Sequence, residues 1–357
     1  MSAADLAAYA GAAEYVLLAD RDDGTVVRCG DVVAKAHAGD SDPDALAVRI
    51  RVAGDPALAG VLLPPLRTGL GLLGSRPVSL WPYGAPVAPD RPDEAPWEPA
   101  AELLAALHLT PLHHLPYPVP PMRGPAKLAR ALHRLDAAHP PRARVQVRAP
   151  AVQPLPAAGE RAAEGPAQRP AGRGMPGRTA GVRIPGRPAG DTDPDAARMA
   201  RLVRAAAATL PGWARGEGPP PSGGALCHGD LHLGQLVRSP AGGWRLIDVD
   251  DLGLGTPAWD LARPAAWYAA GLLDTRTWLR FLDAYRAAGG PAAGAPGCDP
   301  WPELDLAARA LTVQTAALAL AKAAGEHRRL DDVERMMVEA CARIASVRAE
   351  LEPKTLS

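Results

Sequence analysis

Residues 226–262 read LCHGDLHLGQLVRSPAGGWRLIDVDDLGLGTPAWDLA, and this stretch decides the fold. Short apolar runs at 236–237 and 246–247 flank a Pro-Ala-Gly-Gly turn, a pattern that predicts a β-hairpin. Gln235 precedes the first run and Asp248 follows the second. These two side chains are therefore expected at the same end of the hairpin.

Asp230 lies five residues before Gln235, so three oxygen-bearing side chains are expected to converge at that end. The Asp248 carboxylate and the Gln235 carbonyl suit Mg²⁺, which takes one or two protein ligands and leaves its other positions to phosphate oxygens. The Asp230 carboxylate can accept or orient a hydroxyl proton, and a metal clamp with such a base is typical of phosphoryl transfer. Any one of these residues alone is more typical of a cap or an Asx-turn. Their order and spacing together favour the catalytic interpretation.

The same stretch resembles the aminoglycoside phosphotransferase family of the protein-kinase-like superfamily. The family's catalytic loop, His-Gly-Asp-x-His-x-x-Asn, stands here at residues 228–235, and its metal-binding strand end stands at 247–250, followed by the matching run 255–262. The resemblance covers most of 15–136 and 195–350. It implies an α+β, two-lobed protein-kinase-like fold with a small antiparallel-sheet N-lobe and a mainly helical C-lobe, and it implies ATP and Mg²⁺ as cofactors.

The resemblance also implies roles for single residues. Asp230 matches the catalytic base, Gln235 and Asp248 match the Mg²⁺ ligands, and Asp260 matches a buried residue that supports the loop. Lys35 ends the run Val-Val-Ala-Lys and matches the lysine that holds the α- and β-phosphates.

The family's hinge strand, which borders adenine, matches residues 80–84. Trp81 and Tyr83 in this run are therefore the predicted nucleotide-binding residues beside Lys35. Regular structure is expected to break at Pro-Tyr-Gly, so we predict the hinge between the lobes there.

Two positions depart from the family pattern. Gln235 replaces the usual Asn, and its side-chain carbonyl is chemically equivalent but one methylene longer. In the helix after Lys35, the family places a Glu that pairs with the lysine. The only acid in residues 44–51 is Asp44, in the first helical turn, where capping explains an acid equally well. The Lys35 partner is thus unassigned by the sequence.

These observations predict ATP-dependent transfer of the γ-phosphate to a hydroxyl of a small molecule. Family members that phosphorylate sugars also carry Gln at the Gln235 position, so a sugar or amino sugar is favoured over an aminoglycoside or an amino alcohol. The alternative is a nucleotide-binding pseudokinase or regulatory module with little or no transfer activity, because the Lys35 partner is missing.

The acceptor site is less defined by the sequence. Trp259 and Trp267 are candidates for lining a pocket beside the catalytic loop, although core packing is the default for tryptophan. Six C-terminal acids suit either a cationic acceptor or plain solvation: Asp299, Glu303, Asp305, Glu326, Asp331 and Asp332.

The pattern along the chain divides it into an N-lobe at 1–84 and a C-lobe at 85–357. The N-lobe is expected to hold one helix, from Asp42 to about Ala53, and five antiparallel strands. Their apolar runs lie at 15–18, 25–28, 32–35, 60–63 and 77–81. The glycine-rich run 69–74 matches GxGxxG but does not open a helix, so we predict a loop there.

Helical periodicity begins after Pro96 and continues to the C-terminus, with one interruption. Ten Pro and eight Gly fall between 140 and 190, together with nine Arg and two Glu. This composition is typical of flexible, low-complexity sequence, so we predict a flexible insertion at 137–191 within the C-lobe.

Composition bounds the remaining function classes. Lys plus Arg and Asp plus Glu both number 39, which gives no whole-chain reason to expect nucleic acid or an anionic membrane as a partner. No stretch reaches 18 uninterrupted apolar residues, and the N-terminus lacks a signal-peptide pattern. The four cysteines form no CxxC pair, which argues against zinc and disulfides and fits a reducing, cytoplasmic location.

Overall fold

A computed structural model describes residues 1–21, 24–115, 117–141, 194–219, 221 and 224–351, with side chains described up to 346. These residues form two lobes. The elements of the N-lobe are α1 (Ala3–Tyr9), β1 (Val16–Arg21), β2 (Gly24–Cys29), β3 (Val32–His37), α2 (Pro43–Ala53), β4 (Gly71–Leu73) and β5 (Arg76–Pro82). The strands form one antiparallel sheet in the order β1-β2-β3-β5-β4, as the predicted antiparallel N-lobe requires.

The register of this sheet places Lys35 on the face toward the C-lobe. Lys35 on β3 pairs with Val26 on β2 and Ser79 on β5. Because alternate residues of a strand point to opposite faces, Lys35 and Ser79 share a face with Trp81. The opposite face carries a separate apolar cluster with α1, formed by Leu6, Ala7, Val27, Cys29, Ala34, Ala36, Val78 and Leu80.

The predicted strand at 60–63 is wrong, and the sheet takes its fifth strand from Gly71–Leu73 instead. Leu62 is fully buried and forms an isolated bridge with Leu246 of the C-lobe. The Leu63 N–H donates to the Leu246 carbonyl at 2.9 Å, and the Leu246 N–H donates to Val61 at 2.9 Å. The run is apolar because it is buried between the lobes, and its backbone groups are satisfied there rather than in the sheet.

Two further N-lobe predictions need correction. The glycine-rich run 69–74 is not wholly a loop, since residues 71–73 form the edge strand β4 and turn back through Gly74 at a φ of 62°. The N-lobe holds two helices rather than one. The additional helix, α1, starts at a capping box in which Ser2 and Asp5 bond each other's backbone N–H groups.

The C-lobe is mainly helical. Its elements are β6 (Ala85–Pro86), α3 (Trp97–His108), α4 (Gly124–Ala138), α5 (Pro194–Ala207), β7 (Ala225–Cys227), β8 (Leu236–Arg238), β9 (Trp244–Leu246), β10 (Gly253–Gly255), α6 (Ala262–Ala270), α7 (Thr275–Ala287), α8 (Trp301–Gly325) and α9 (Asp332–Leu351). The short strands form two small sheets: a three-stranded sheet in the order β6-β8-β9, and a pair made of β7 and β10.

Helix α8 is the central helix of the C-lobe core and packs against α4, α5, α6 and α9. It is apolar on most sides, with Leu304, Val313 and Leu320 buried. Among the described helices it alone has the length and composition to cross a membrane, and 67% of its apolar window is buried inside the protein. Its apolar character is therefore explained by core packing.

The predicted insertion at 137–191 lies mostly outside the described residues, which resume at Pro194. Up to Ala138 the chain is helix α4. The helical periodicity that resumes after this segment corresponds to α5, which begins at Pro194 and ends at Ala207.

Candidate active site

The loop between β7 and β8 is held in place by a buried carboxylate. Asp260 accepts the backbone N–H of His228 at 2.6 Å and that of Gly229 at 2.7 Å, and it lies 3.0 Å from His108 Nε2. Gly229 has a φ of 84°, and a Cβ there would overlap the Asp251 carbonyl. These contacts agree with the support that the resemblance implies for Asp260.

His228 and His232 brace the same loop. His228 is fully buried, and its Nε2 lies 2.8 Å from the Ile247 carbonyl oxygen, which ties the loop to the end of β9. His232 Nδ1 accepts the Gly234 N–H at 3.1 Å. Burial, with the Arg263 charge, lowers the pKa of His232 to about 4, so this imidazole is neutral at pH 7.

Cys227, at the start of the loop, is also buried, and its Sγ lies near His108 and Asp260. Both Asp260 oxygens already accept backbone N–H groups, so this cluster is explained by loop support. Burial raises the pKa of the Cys227 thiol well above its ordinary value, which fits a structural rather than a nucleophilic cysteine.

Asp230 lies at the tip of the loop between two cations. Its Oδ2 is 2.7 Å from Lys127 Nζ of α4, and its Oδ1 is 2.8 Å from an Arg263 nitrogen of α6. Arg263 also donates to the Leu231 carbonyl at 3.0 Å, which fixes the guanidinium against the loop. Each carboxylate oxygen can accept two hydrogen bonds, so Asp230 retains acceptor capacity for a hydroxyl group.

Burial alone would raise the pKa of Asp230, but the charges of Lys127 and Arg263 outweigh it and hold the pKa below its ordinary value. Asp230 is therefore a carboxylate at neutral pH. This is the protonation state that a hydroxyl-orienting base requires.

Gln235 and Asp248 meet at the open end of the β8–β9 hairpin, as the sequence predicts. The backbone N–H of Ile247 donates to the backbone carbonyl of Gln235 at 2.9 Å. The Gln235 side chain donates through Nε2 to Asp248 Oδ2 at 3.2 Å. Asp248 has a φ of 65°, in the left-handed region that a non-glycine residue seldom occupies. Such strained backbone conformations are concentrated at functional sites.

The donor set of this pair fits Mg²⁺. Rotation of the Gln235 amide by 180° turns its carbonyl oxygen toward Asp248, which gives one carbonyl and one carboxylate ligand at a single point. Asp248 is 36% exposed, so the remaining coordination positions are open to phosphate oxygens and water.

Lys35 pairs with two acids that follow β9. Its Nζ lies 2.6 Å from Asp248 Oδ1 and 3.1 Å from Asp250 Oδ1. Burial alone would lower the pKa of Lys35, but the two carboxylates raise it above its ordinary value, so the lysine is charged. Among the described residues, the partner that the sequence left unassigned is therefore Asp250, and Lys35 pairs with Asp248 as well.

Asp250 is held by a chain of side chains on the cleft face of the N-lobe sheet. Its Oδ2 lies 3.0 Å from His37 Nδ1, and His37 Nε2 lies 2.8 Å from Ser79 Oγ. Trp81 Nε1 donates to the same Ser79 oxygen at 2.8 Å. Burial would raise the pKa of Asp250, but Lys35 and His37 hold it far below its ordinary value, and the acid is ionised.

Helix α2 contributes a cation where the family pattern has a Glu. Arg49 is buried, and its Nε donates to the Leu252 carbonyl at 2.7 Å while a second nitrogen donates to the Pro121 carbonyl at 3.2 Å. Asp44 lies in the first turn, next to the N-cap Asp42. Helix α2 thus secures the backbone after Asp250 and provides no acid for Lys35.

The two predicted adenine-side residues lie near the C-terminal end of β5 in different surroundings. Trp81 is buried on the cleft face of the sheet, the face that also carries Lys35. The Tyr83 N–H donates to the Asp31 carbonyl at 2.7 Å, and the Arg28 guanidinium lies 3.4 Å over the Tyr83 ring. The structure brings Trp81 close to the Lys35 network and places Tyr83 at the outer end of β5.

A cavity of about 530 Å³ opens beside Asp230. It is lined by Asp230, His232, Arg263, Trp97, Trp267 and, from the N-lobe, Arg21. Of the two tryptophans expected near the loop, Trp267 lines the cavity. Trp259 is buried and packs against Trp213, with ring centroids 6.0 Å apart.

Lys127 and Arg263 were missed by the sequence analysis, as was the role of Asp250. One signal was available for Lys127, because the chain has only four lysines, at 35, 127, 322 and 354, among 39 basic residues. In a chain that otherwise uses arginine, the lysines at 35 and 127 stand out. Arg263 directly follows the matched run that ends at Ala262, so extending the motif by one residue would have included it.

The sequence profile of the phosphotransferase enzyme family, APH, matches residues 44–301, which is more than half of the chain. The chain belongs to this family. No curated protein matches the APH-family chain in a sequence search.

Solved structures share the fold over nearly the whole chain. A choline/ethanolamine kinase family protein from Mesorhizobium loti is 17% identical, with 98% of this chain and 94% of that chain covered at a TM-score of 0.51. A thermostable mutant of the aminoglycoside phosphotransferase APH(4)-Ia is 12% identical, with 97% and 98% covered at a TM-score of 0.54. These likenesses confirm the two-lobed, protein-kinase-like fold that the sequence predicts for this APH-family chain.

A further structure of that aminoglycoside phosphotransferase is a ternary complex with AMP-PNP and hygromycin B. It is 12% identical to this chain, with 97% and 98% covered at a TM-score of 0.53. The relative thus binds a nucleotide and a small molecule together within the same fold.

Proposed function

We propose that the protein transfers the γ-phosphate of ATP to a hydroxyl group of a small molecule. The observation that carries this proposal is the convergence of Asp230, Gln235, Asp248 and Lys35 at one cleft between the lobes. Membership of a phosphotransferase family and the AMP-PNP complex of a relative with the same fold support ATP as the donor.

The chain's own residues divide the work. Asp230 accepts the hydrogen bond of the acceptor hydroxyl and orients its oxygen toward the phosphate. Lys35 holds the α- and β-phosphates, and Trp81 and Tyr83 border the adenine. Mg²⁺, held by Gln235 and Asp248, would supply charge neutralisation on the β- and γ-phosphates when bound.

Lys35 lies 2.6 Å from Asp248. This pairing holds the lysine charge beside the proposed metal site, where phosphate oxygens would enter. Preorganised charges of this kind are a main source of catalysis in phosphoryl transfer.

The experiment is a coupled ADP-release assay with ATP, Mg²⁺ and a panel of hydroxyl acceptors, with the phosphorylated product identified by mass spectrometry. Asp230→Asn removes the base but keeps the shape of the side chain, so we expect turnover to fall by about 10²- to 10⁴-fold. Asp305→Asn, at a surface acid paired with Arg309, is the matched control and should keep full activity. Full activity in Asp230→Asn would contradict the proposal.

A nucleotide-binding module without transfer activity is the second candidate, because both oxygens of Asp230 are engaged by cations in this structure. Calorimetry with ATP and Mg²⁺ separates the two functions. Binding with no product from any acceptor favours the module, whereas product formation that depends on Asp230 favours the kinase.

A further inference from the structure

We propose that the acceptor of this phosphoryl transfer is an uncharged or acidic, sugar-like ring compound that binds in the cavity beside Asp230, and that cationic compounds are disfavoured there. This inference rests on the proposed function and adds the charge class of the substrate. The cavity volume of about 530 Å³ lies within the range of about 300–1,000 Å³ typical of small-ligand sites.

The position of the cavity suits an acceptor. The catalytic loop forms one wall through Asp230 and His232, α3 contributes Trp97, and α6 contributes Arg263 and Trp267. A ligand in this space has its hydroxyl groups beside the carboxylate that the proposed chemistry requires.

The charges around the cavity oppose a cationic ligand. Among the described residues that line it, Asp230 is the only carboxylate, and Arg21 and Arg263 are the two guanidinium groups. The two aspartates that follow Arg21 in the chain lie outside the described residues. Asp230 is paired with both Lys127 and Arg263, so it does not give its surroundings a net negative charge. His232 adds no negative charge.

None of the six C-terminal acids that suited a cationic acceptor lines this cavity, and five of them have partners elsewhere. Asp305 pairs with Arg309, Glu326 with Arg328 and Asp332 with Arg335. The carboxylates of Asp299 and Asp331 accept backbone N–H groups at the starts of α8 and α9. A further acid near the cavity wall, Glu98 on α3, forms a two-pronged pair with Arg280 at 2.6 and 2.8 Å.

The two tryptophans that line the cavity, Trp97 and Trp267, favour a ring-shaped acceptor. Trp97 and Trp267 are both half-buried and line the cavity, while the Trp97 ring is fixed edge-on against Phe281 with centroids 6.1 Å apart. Indole rings offer flat apolar surfaces that pack well against the apolar face of a sugar. A quaternary ammonium group is the cation that such rings also accept, so choline is the discriminating competitor.

The experiment compares kcat/KM for acceptors that differ mainly in charge: glucose, maltose, glucuronate, glucosamine, an aminoglycoside and choline. We expect the neutral and acidic compounds to exceed the cationic ones by about tenfold or more, because like charges face each other in the cationic complexes. A preference for glucosamine, the aminoglycoside or choline would overturn the inference, although phosphoryl transfer itself would stand.

Binding is measured separately, by the change in tryptophan fluorescence as each compound is titrated against the protein with AMP-PNP and Mg²⁺. This readout needs no turnover, so it tests the charge class even if transfer to every acceptor fails. Tighter binding of the neutral and acidic compounds supports the inference, and tighter binding of the cations contradicts it.

Charge reversal tests the cavity directly. Arg21→Glu should raise the KM for glucuronate by about tenfold or more and lower that for glucosamine, because it replaces a positive charge in the cavity wall by a negative one. Arg201→Glu, at an exposed position on α5, is the matched control and should shift neither. Trp267→Ala should raise the KM of every ring acceptor. Equal behaviour of Arg21→Glu and Arg201→Glu toward all compounds would remove the cavity as the acceptor site.

Discussion

The cleft contains two lysines that each bridge two aspartates, and the two clusters are built differently. Lys35 comes from the N-lobe sheet and lies 2.6 and 3.1 Å from Asp248 and Asp250 of the C-lobe. Lys127 comes from α4 and lies 2.7 and 2.8 Å from Asp230 and Asp251, all within the C-lobe. The first cluster joins the two lobes at the proposed nucleotide site, whereas the second lies within the C-lobe at the proposed acceptor site.

This difference between the clusters suggests separate roles for Lys35 and Lys127. Lys35 spans the cleft, so its contacts must change when phosphate oxygens enter between the lobes. In the part of the chain that the structure describes, Lys127 pairs only with acids of its own lobe, so entry of phosphate oxygens between the lobes does not require its contacts to change. Its partner Asp251 is itself positioned by Arg123, which lies 3.6 Å from the Asp251 carboxylate. We therefore expect Lys35 to act on the nucleotide and Lys127 to position Asp230.

Among substitutions in the two clusters, Lys35→Met should produce the largest loss of activity. The substitution removes the charge that holds the phosphates but keeps most of the side-chain length, so kcat/KM for ATP should fall by about 10²- to 10³-fold. Steady-state kinetics with varied ATP measures it. Lys322→Met, at a lysine that is 65% exposed on α8, is the control. A smaller loss for Lys35→Met than for Lys127→Met would reverse the roles assigned here.

Asp250→Asn should have an intermediate effect. It leaves Lys35 with Asp248 alone and places an amide beside His37, so the lysine loses its fixed position and kcat/KM should fall by about 10- to 10²-fold. Urea unfolding should also show a loss of about 1–3 kcal/mol, as expected for a disrupted buried polar network.

The control for Asp250 is Asp251→Asn, which touches the other cluster. We expect it to leave the KM for ATP unchanged while Asp250→Asn raises it. If both variants raise the KM for ATP equally, the two clusters are not separate in function.

Lys127→Met should have the smallest effect, a fall in kcat of about tenfold or less, because Arg263 still orients Asp230. Its signature is in the pH profile. Lys127 helps to lower the pKa of Asp230, so its removal raises that pKa, and the acid limb of kcat/KM should move to higher pH. An acid limb that stays in place would show that Lys127 does not act on Asp230.

The sequence predicted those parts of the site that depend on local spacing. Gln235 and Asp248 flank a short hairpin, so their meeting follows from strand pairing alone. Asp230 and Asp260 were found through a contiguous motif. The sheet face of Lys35 follows from alternation along one strand.

Parts of the site that depend on long-range packing were not predictable from the sequence. Lys127 lies in an ordinary amphipathic helix more than one hundred residues before its partner, and nothing in its local pattern separates it from a solvated lysine. The pairing of Lys35 with Asp250 requires the relative position of the two lobes. For the same reason the run at 60–63 resembled a strand, because burial between lobes and burial in a sheet select the same apolar residues.

The partner of Lys35 lies on the same short segment as Asp248, and α2 supplies none. Helix α2 is linked to this segment through the backbone, since the Arg49 guanidinium donates to the Leu252 and Pro121 carbonyls. Lys35 comes from the N-lobe sheet, whereas Asp248 and Asp250 both belong to the C-lobe. We therefore expect the assembly of the proposed nucleotide site and the approach of the two lobes to be a single event.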